Sequence, residues 1–185
     1  MNALKSEIRI GMSLLLISLM GWAENRPDSC IHANFELIKN YDDLRLNLKI
    51  AFNDFGSLNK CAKELNKPIL TIYGCHGCMG YPKAVWQPLA DKEVNSILRD
   101  DFLIRFYHID DKVPLPDSII YETQVKTIGE FFKAKQINNY QIETQPLYTI
   151  TDWKENDLSE PLGYVSRTEM EKFREFIRNG KKNLC

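Results

Sequence analysis

The chain has 185 residues, 44% apolar and 26% charged, which suits one globular domain with a sizeable core and excludes a fibrous or disordered chain. Its 24 basic and 25 acidic side chains leave a net charge of −1 and no basic stripe for nucleic acid. Five cysteines are too few for a dense disulfide framework, and the odd count leaves at least one thiol free or paired between molecules in an oxidising compartment.

Residues 1–23 read as a secretory signal. Lys5 and Arg9 precede a mostly apolar run from Ile10 to Ala23, and Gly21 and Ala23 supply small residues before a cleavage at Glu24. The run is shorter than the roughly 20 apolar residues of a spanning helix, so an uncleaved anchor is the weaker alternative. Export to the periplasm would make the cysteines redox-relevant. Residues 24–49 read as a polar lead-in carrying Cys30, with an extended piece near Phe35 to Ile38 and a turn at Asn40 to Asp43. Residues 50–180 are taken as the domain and 181–185 as a tail ending in Cys185, an exposed terminal thiol.

Leu58, Cys61, Ala62 and Leu65 repeat at i, i+3, i+4 and i+7, predicting a short helix over Ser57 to Asn66 with Cys61 as a small buried apolar residue. Ile69 to Tyr73 predicts a buried central strand. Helical stretches follow towards Pro88, through Pro82, and again after Asp91, a candidate N-cap for Val94, Ile97 and Leu98. Phe102 to Ile109 predicts a second strand, Glu122 to Asn138 a long helix, Leu147 to Asp152 a third strand and Leu162 to Val165 a short fourth. Ser166 and Glu169 form a capping box for a last helix that Asn179-Gly180 should stop. Two early crossovers and a late hairpin give an α/β fold: a mixed central sheet with helices on both faces.

The chemistry concentrates at Cys75-His76-Gly77-Cys78, a C-x-x-C placed directly after a strand. At a helix N-terminus, unpaired backbone N–H groups and the helix dipole stabilise the first sulfur as thiolate, bringing its pKa from about 8.5 to roughly 3.5 to 7.5. Cys75 is then the attacking sulfur and Cys78, one turn on, the resolving one. His76, partly protonated, would favour the Cys75 thiolate and make the pair more oxidising; the equal alternative is an ordinary exposed loop residue. Haem attachment is excluded because Met79 stands where a histidine must follow the second cysteine. A tetrahedral metal site lacks further ligands, since His32, His108, Cys61 and Cys185 are scattered; no metal or other cofactor is expected. Gln145-Pro146, just before a predicted strand, reads either as ordinary edge punctuation or, the favoured reading beside a C-x-x-C, as a cis bond.

Lys67-Pro68, the C-x-x-C, Trp86, Tyr107-His108-Ile109-Asp110-Asp111-Lys112, Gln145-Pro146-Leu147-Tyr148 and Gly163-Tyr164 occur in register. Together they resemble the thioredoxin-fold proteins related to the C-terminal periplasmic domain of the bacterial thiol:disulfide interchange protein DsbD, over about residues 50 to 180. The resemblance implies a thioredoxin fold, Cys75 and Cys78 as catalytic residues, and redox tuning by His76 and Gly77. It also implies substrate binding by Gln145, Pro146, Tyr73 and Gly74, with Pro146 a cis-proline facing the sulfurs. Expected partners are disulfide-containing proteins and a redox donor, which for this family includes membrane-bound ones. Departures from the pattern are Gly74 in place of an aromatic residue, Met79 in place of a basic one, and no acidic residue within Ile69 to Tyr73. They bear on rate and potential rather than on reaction type. The alternatives are an oxidase or isomerase, or a redox-inactive module holding a client or copper(I) at Cys75, Cys78 and His76.

Overall fold

The computed structural model describes residue 30 and residues 33–75, 77, 81–120 and 125–184. The expected signal at 1–23, His76, Cys78 and the thiol of Cys185 lie outside the described residues. Among the described residues no helix is long and apolar enough to cross a membrane.

Five strands form one mixed sheet in the order β1-β2-β4-β3-β5. Strand β1 (Phe35–Tyr41) pairs antiparallel with β2 (Leu44–Phe52) through a turn at Asp42-Asp43, with a register shift between Ile38 and Asn40. Strand β4 (Leu103–His108) runs parallel to both β2 and β3 (Ile69–Gly74), and β5 (Leu147–Thr151) runs antiparallel to β3. The sheet thus begins within the stretch read as a lead-in. Leu46, Leu48 and Ile50 alternate with exposed Arg45, Asn47 and Lys49, so β2 buries every second side chain and belongs to the core.

The same alternation sorts the central strands into two faces. Leu70, Ile72, Ile104, Phe106, Tyr148 and Ile150 point to one side. There they meet Val85, Trp86 and Leu89 of α2 (Tyr81–Leu89), Val94 and Leu98 of α3 (Lys92–Asp101), and Phe173, Phe176 and Ile177 of α6 (Met170–Lys182). On the opposite side α1 (Ser57–Leu65) lays Leu58, Cys61 and Ala62 against Ala51, Ile69 and Leu103. Nearby, Phe132 of α5 (Ile128–Tyr140) packs against Tyr73, Tyr107 and Leu147. A four-residue helix, α4 (Asp117–Ile120), lies in the connection between β4 and α5.

Local chemistry sets the boundaries. Asp91 caps α3, accepting the Val94 N–H at 3.3 Å, and also takes the Arg174 guanidinium of α6 at 2.7 Å, which holds its carboxyl below the usual aspartate range. The long helix starts at Ile128: Thr127 and Glu130 form a capping box, and Thr127 itself bridges to Pro114, while Glu122, the expected start, lies outside the described residues. The fourth strand shrinks to a single bridge, Tyr148 to Leu162. Gly180 does not stop the last helix either. It lies inside α6 where a Cβ would come within 2.4 Å of Ile150 Cδ1, so glycine is there for close helix–sheet packing.

Cys61 is buried on α1 as expected, but it is no free core thiol: it is disulfide-bonded to Cys30. Cys30 is itself 2% exposed, and the disulfide fastens this point of the expected lead-in to α1.

Candidate active site at Cys75

Strand β3 is buried along its whole length, and Cys75 is the first residue beyond it. Cys75 is 3% exposed and disulfide-bonded. Its backbone position is fixed from two sides. On one, Gly74 is paired with His108 at the end of β4, and the Ile109 N–H donates to the Gly74 carbonyl at 2.8 Å. On the other, Tyr73 is paired with Leu147 in the last pair of the β3–β5 ladder, and Pro146 is the residue directly before Leu147.

The Gln145–Pro146 bond is cis. Its loop is held from below by Gln136, a fully buried side chain of α5 whose amide nitrogen donates to the carbonyls of Ile142 at 2.8 Å and Thr144 at 3.2 Å. Leaving that amide unpaired would cost about 1–3 kcal/mol, so Gln136 and the loop specify each other. The Gln145 side chain folds back onto the Glu143 carbonyl at 2.6 Å, leaving its backbone as the group that accompanies the proline. Gly74 is the last residue of β3, and the Tyr73 ring packs inward against Tyr107 and Tyr140. Burial drives the Tyr73 and Tyr107 hydroxyls well above the ordinary tyrosine range and pushes Tyr140 up to about 12, so all three are neutral packing groups.

A parallel strand order β2-β4-β3, an antiparallel β5 entered through a cis-proline, and a cysteine at the end of β3 define the architecture. The fold is thioredoxin-like. Ten solved chains match it. One is described as DsbH oxidoreductase, 15% identical with a TM-score of 0.49, the match covering 77% of this chain and 93% of that one. Another is a thioredoxin from Thermus thermophilus, 13% identical with a TM-score of 0.41, covering 69% and 83% respectively. No protein-family model and no curated protein sequence matches the chain.

An acidic side chain from the loop after β4 reaches the motif. Gly77, inside the C-x-x-C, donates its N–H to Asp110 Oδ2 at 2.8 Å. That loop is built to hold its place. Asn53 donates to Asp111 Oδ2 at 2.8 Å and accepts the His108 N–H at 2.9 Å, while Asp111 Oδ1 accepts the Val113 N–H at 2.9 Å. Gly129 of α5 lies so close beneath that a Cβ would sit 2.4 Å from the Asp111 nitrogen. An anion accepting a motif N–H opposes thiolate formation nearby, both by its charge and by occupying a donor.

Sequence reasoning quoted Asp110 and Asp111 without giving them work, and it passed over Asn53, Gly129 and Gln136. The available signals were an acidic pair closing a β-favouring run and a glutamine on the buried face of a helix. Among the described residues no group of three or more histidine, cysteine or acidic side chains is placed to hold a metal ion.

Proposed function

We propose that the chain is an exported thiol:disulfide oxidoreductase that reduces disulfides of periplasmic proteins through Cys75-His76-Gly77-Cys78, in the manner of the DsbD C-terminal domain that its motifs resemble. The observation that carries the proposal is a disulfide-bonded Cys75 directly after a buried strand, with Gln145-Pro146 leading into the strand that pairs with it.

The reaction starts from the dithiol. The Cys75 thiolate attacks one sulfur of a substrate disulfide, forming a mixed disulfide and releasing a substrate thiolate, which takes up a proton. Cys78 loses its proton and attacks the Cys75 sulfur, and the second substrate thiolate leaves and is protonated. The substrate gains two electrons and two protons, and the enzyme ends as the Cys75–Cys78 disulfide. A donor dithiol then reduces it, and no bound cofactor is required. The backbone at Gln145 pairs with the substrate chain as an added strand, while Gly74 gives that chain room at the sulfur.

Two further observations support the reading. The Asp110 carboxylate on Gly77 disfavours the thiolate of the reduced form, which stabilises the disulfide of the enzyme and makes its dithiol the better reductant. The buried Cys30–Cys61 disulfide fits an oxidising compartment. In the direct test, the reduced protein should reduce insulin disulfides and Cys75→Ser should abolish that activity. Full activity in the variant would overturn the assignment.

A further inference from the structure

Beside Cys75, on the side away from the cis-proline, the surface opens into a cavity of about 590 Å³. Its walls include Tyr41 of β1, Phe52 of β2, Trp86 of α2, Phe106 and His108 of β4, and Cys75 itself. The rings form a continuous lining. Tyr41 stacks on Trp86 at 5.6 Å, Trp86 on Phe106 at 5.5 Å, and Phe52 on His108 at 5.3 Å. Phe106 and His108 approach to 4.6 Å. Among the described residues no lysine or arginine lines the cavity, and its one carboxylate is that of Glu36, on an exposed residue of β1.

We propose that this cavity is a specificity pocket for a large aromatic side chain next to the cysteine that the substrate offers to Cys75. The proposal rests on the exchange reaction above. Continuity with the reacting sulfur decides the occupant. Cys75 is part of the wall, so a sulfur bonded to it brings the flanking residue of the substrate to the mouth of the cavity. An aromatic-lined cleft of this size takes an apolar ring in offset or edge-on contact with the rings already present. Glu36 at the wall disfavours an acidic neighbour. The strand order puts this pocket over β4 and β2, whereas Gln145–Pro146 enters β5 on the far side of β3. The two halves of the substrate would therefore be read differently, backbone on one side of Cys75 and side chain on the other.

The test uses two short peptides, each cyclised by one disulfide and identical except for Trp or Ser beside the first cysteine. The reduced full-length protein should reduce the Trp peptide with a kcat/KM at least about tenfold higher, the scale set by burying one large apolar side chain. Phe52→Ser and, separately, Tyr41→Ser should each bring that ratio towards one, while Phe52→Leu should retain most of it. Two substitutions on different strands guard against either variant failing to fold. Equal rates for the two peptides in the unaltered protein would overturn the pocket and leave exchange standing, and this is also the result if the chain's own residues fill the cavity. Reduction of neither peptide would instead overturn the exchange reaction.

Discussion

Replacing both Cys30 and Cys61 by alanine removes a cross-link whose ends are 31 residues apart. With a loop of that length, the chain-entropy relation gives an unfolded state destabilised by roughly 3.5–4 kcal/mol while the bridge is intact. A buried cysteine acting only as a small apolar residue would make the substitution worth about 1 kcal/mol, so the two readings of Cys61 are separable. Urea unfolding of the oxidised proteins is the assay. The variant should lose about 3 kcal/mol or more, and its m-value should rise because the uncross-linked chain unfolds to a more expanded state. Alkylation and mass analysis should find both sulfurs blocked in the parent protein. A loss below about 1 kcal/mol with an unchanged m-value would refute the reasoning.

Gly180→Ala should destabilise by about 1–3 kcal/mol through the clash with Ile150, although a helix-interior glycine exposed to solvent would gain from alanine; a stabilised variant in thermal unfolding would contradict this. Asp110→Asn should make the Cys75–Cys78 pair more oxidising, shifting its equilibrium with glutathione severalfold towards the dithiol, and should lower the pH at which Cys75 becomes reactive to iodoacetamide; no shift, or the opposite one, would remove Asp110 from the account. Burial opposes the charge of Glu155, but Lys135 at 2.8 Å and the buried Arg105 at 3.7 Å outweigh it and hold the carboxyl below its ordinary value of 4.5. Such a carboxylate contributes stability above pH 4.5 that is lost as pH falls through its lower folded value, so Glu155→Gln should be less stable at neutral pH and the gap should narrow below pH 4.5. A gap independent of pH in denaturant titrations would count against it.

What the sequence made legible was what short-range pattern encodes. The run Ile69 to Tyr73, the apolar face of α1 and the Asp91 cap each follow from periodicity or side-chain chemistry within one element. The C-x-x-C likewise carried its own expectation. Strand β2 was legible too, since Leu44 to Ile50 alternates apolar with polar throughout and follows the turn expected at Asn40 to Asp43, although the stretch is read only as a lead-in. The start of α5 was misplaced because Val125 continues the apolar stripe, whereas the capping box at Thr127 and Glu130 decides where the helix begins.

Other features arise only when distant segments meet. Nothing local to Cys30 or Cys61 announces their pairing. Gly180 reads as a stop signal until Ile150 is placed beneath it. Asp110 acquires its contact with Gly77 only because Asn53 and Gly129, from β2's end and from α5, fix the loop between them. The aromatic pocket draws on three strands and a helix, so no window of sequence contains it.

The central claim is that Cys75 and Cys78 cycle as one two-electron couple. Equilibrating the purified protein across a series of glutathione ratios, alkylating it and mapping the modified peptides measures this directly. The account predicts that Cys75 and Cys78 become alkylated together along a single two-electron curve, at a potential nearer the roughly −270 mV of thioredoxin than the −120 mV of DsbA. Two cysteines that titrate independently, or a Cys75 that stays unchanged across the series, would contradict it.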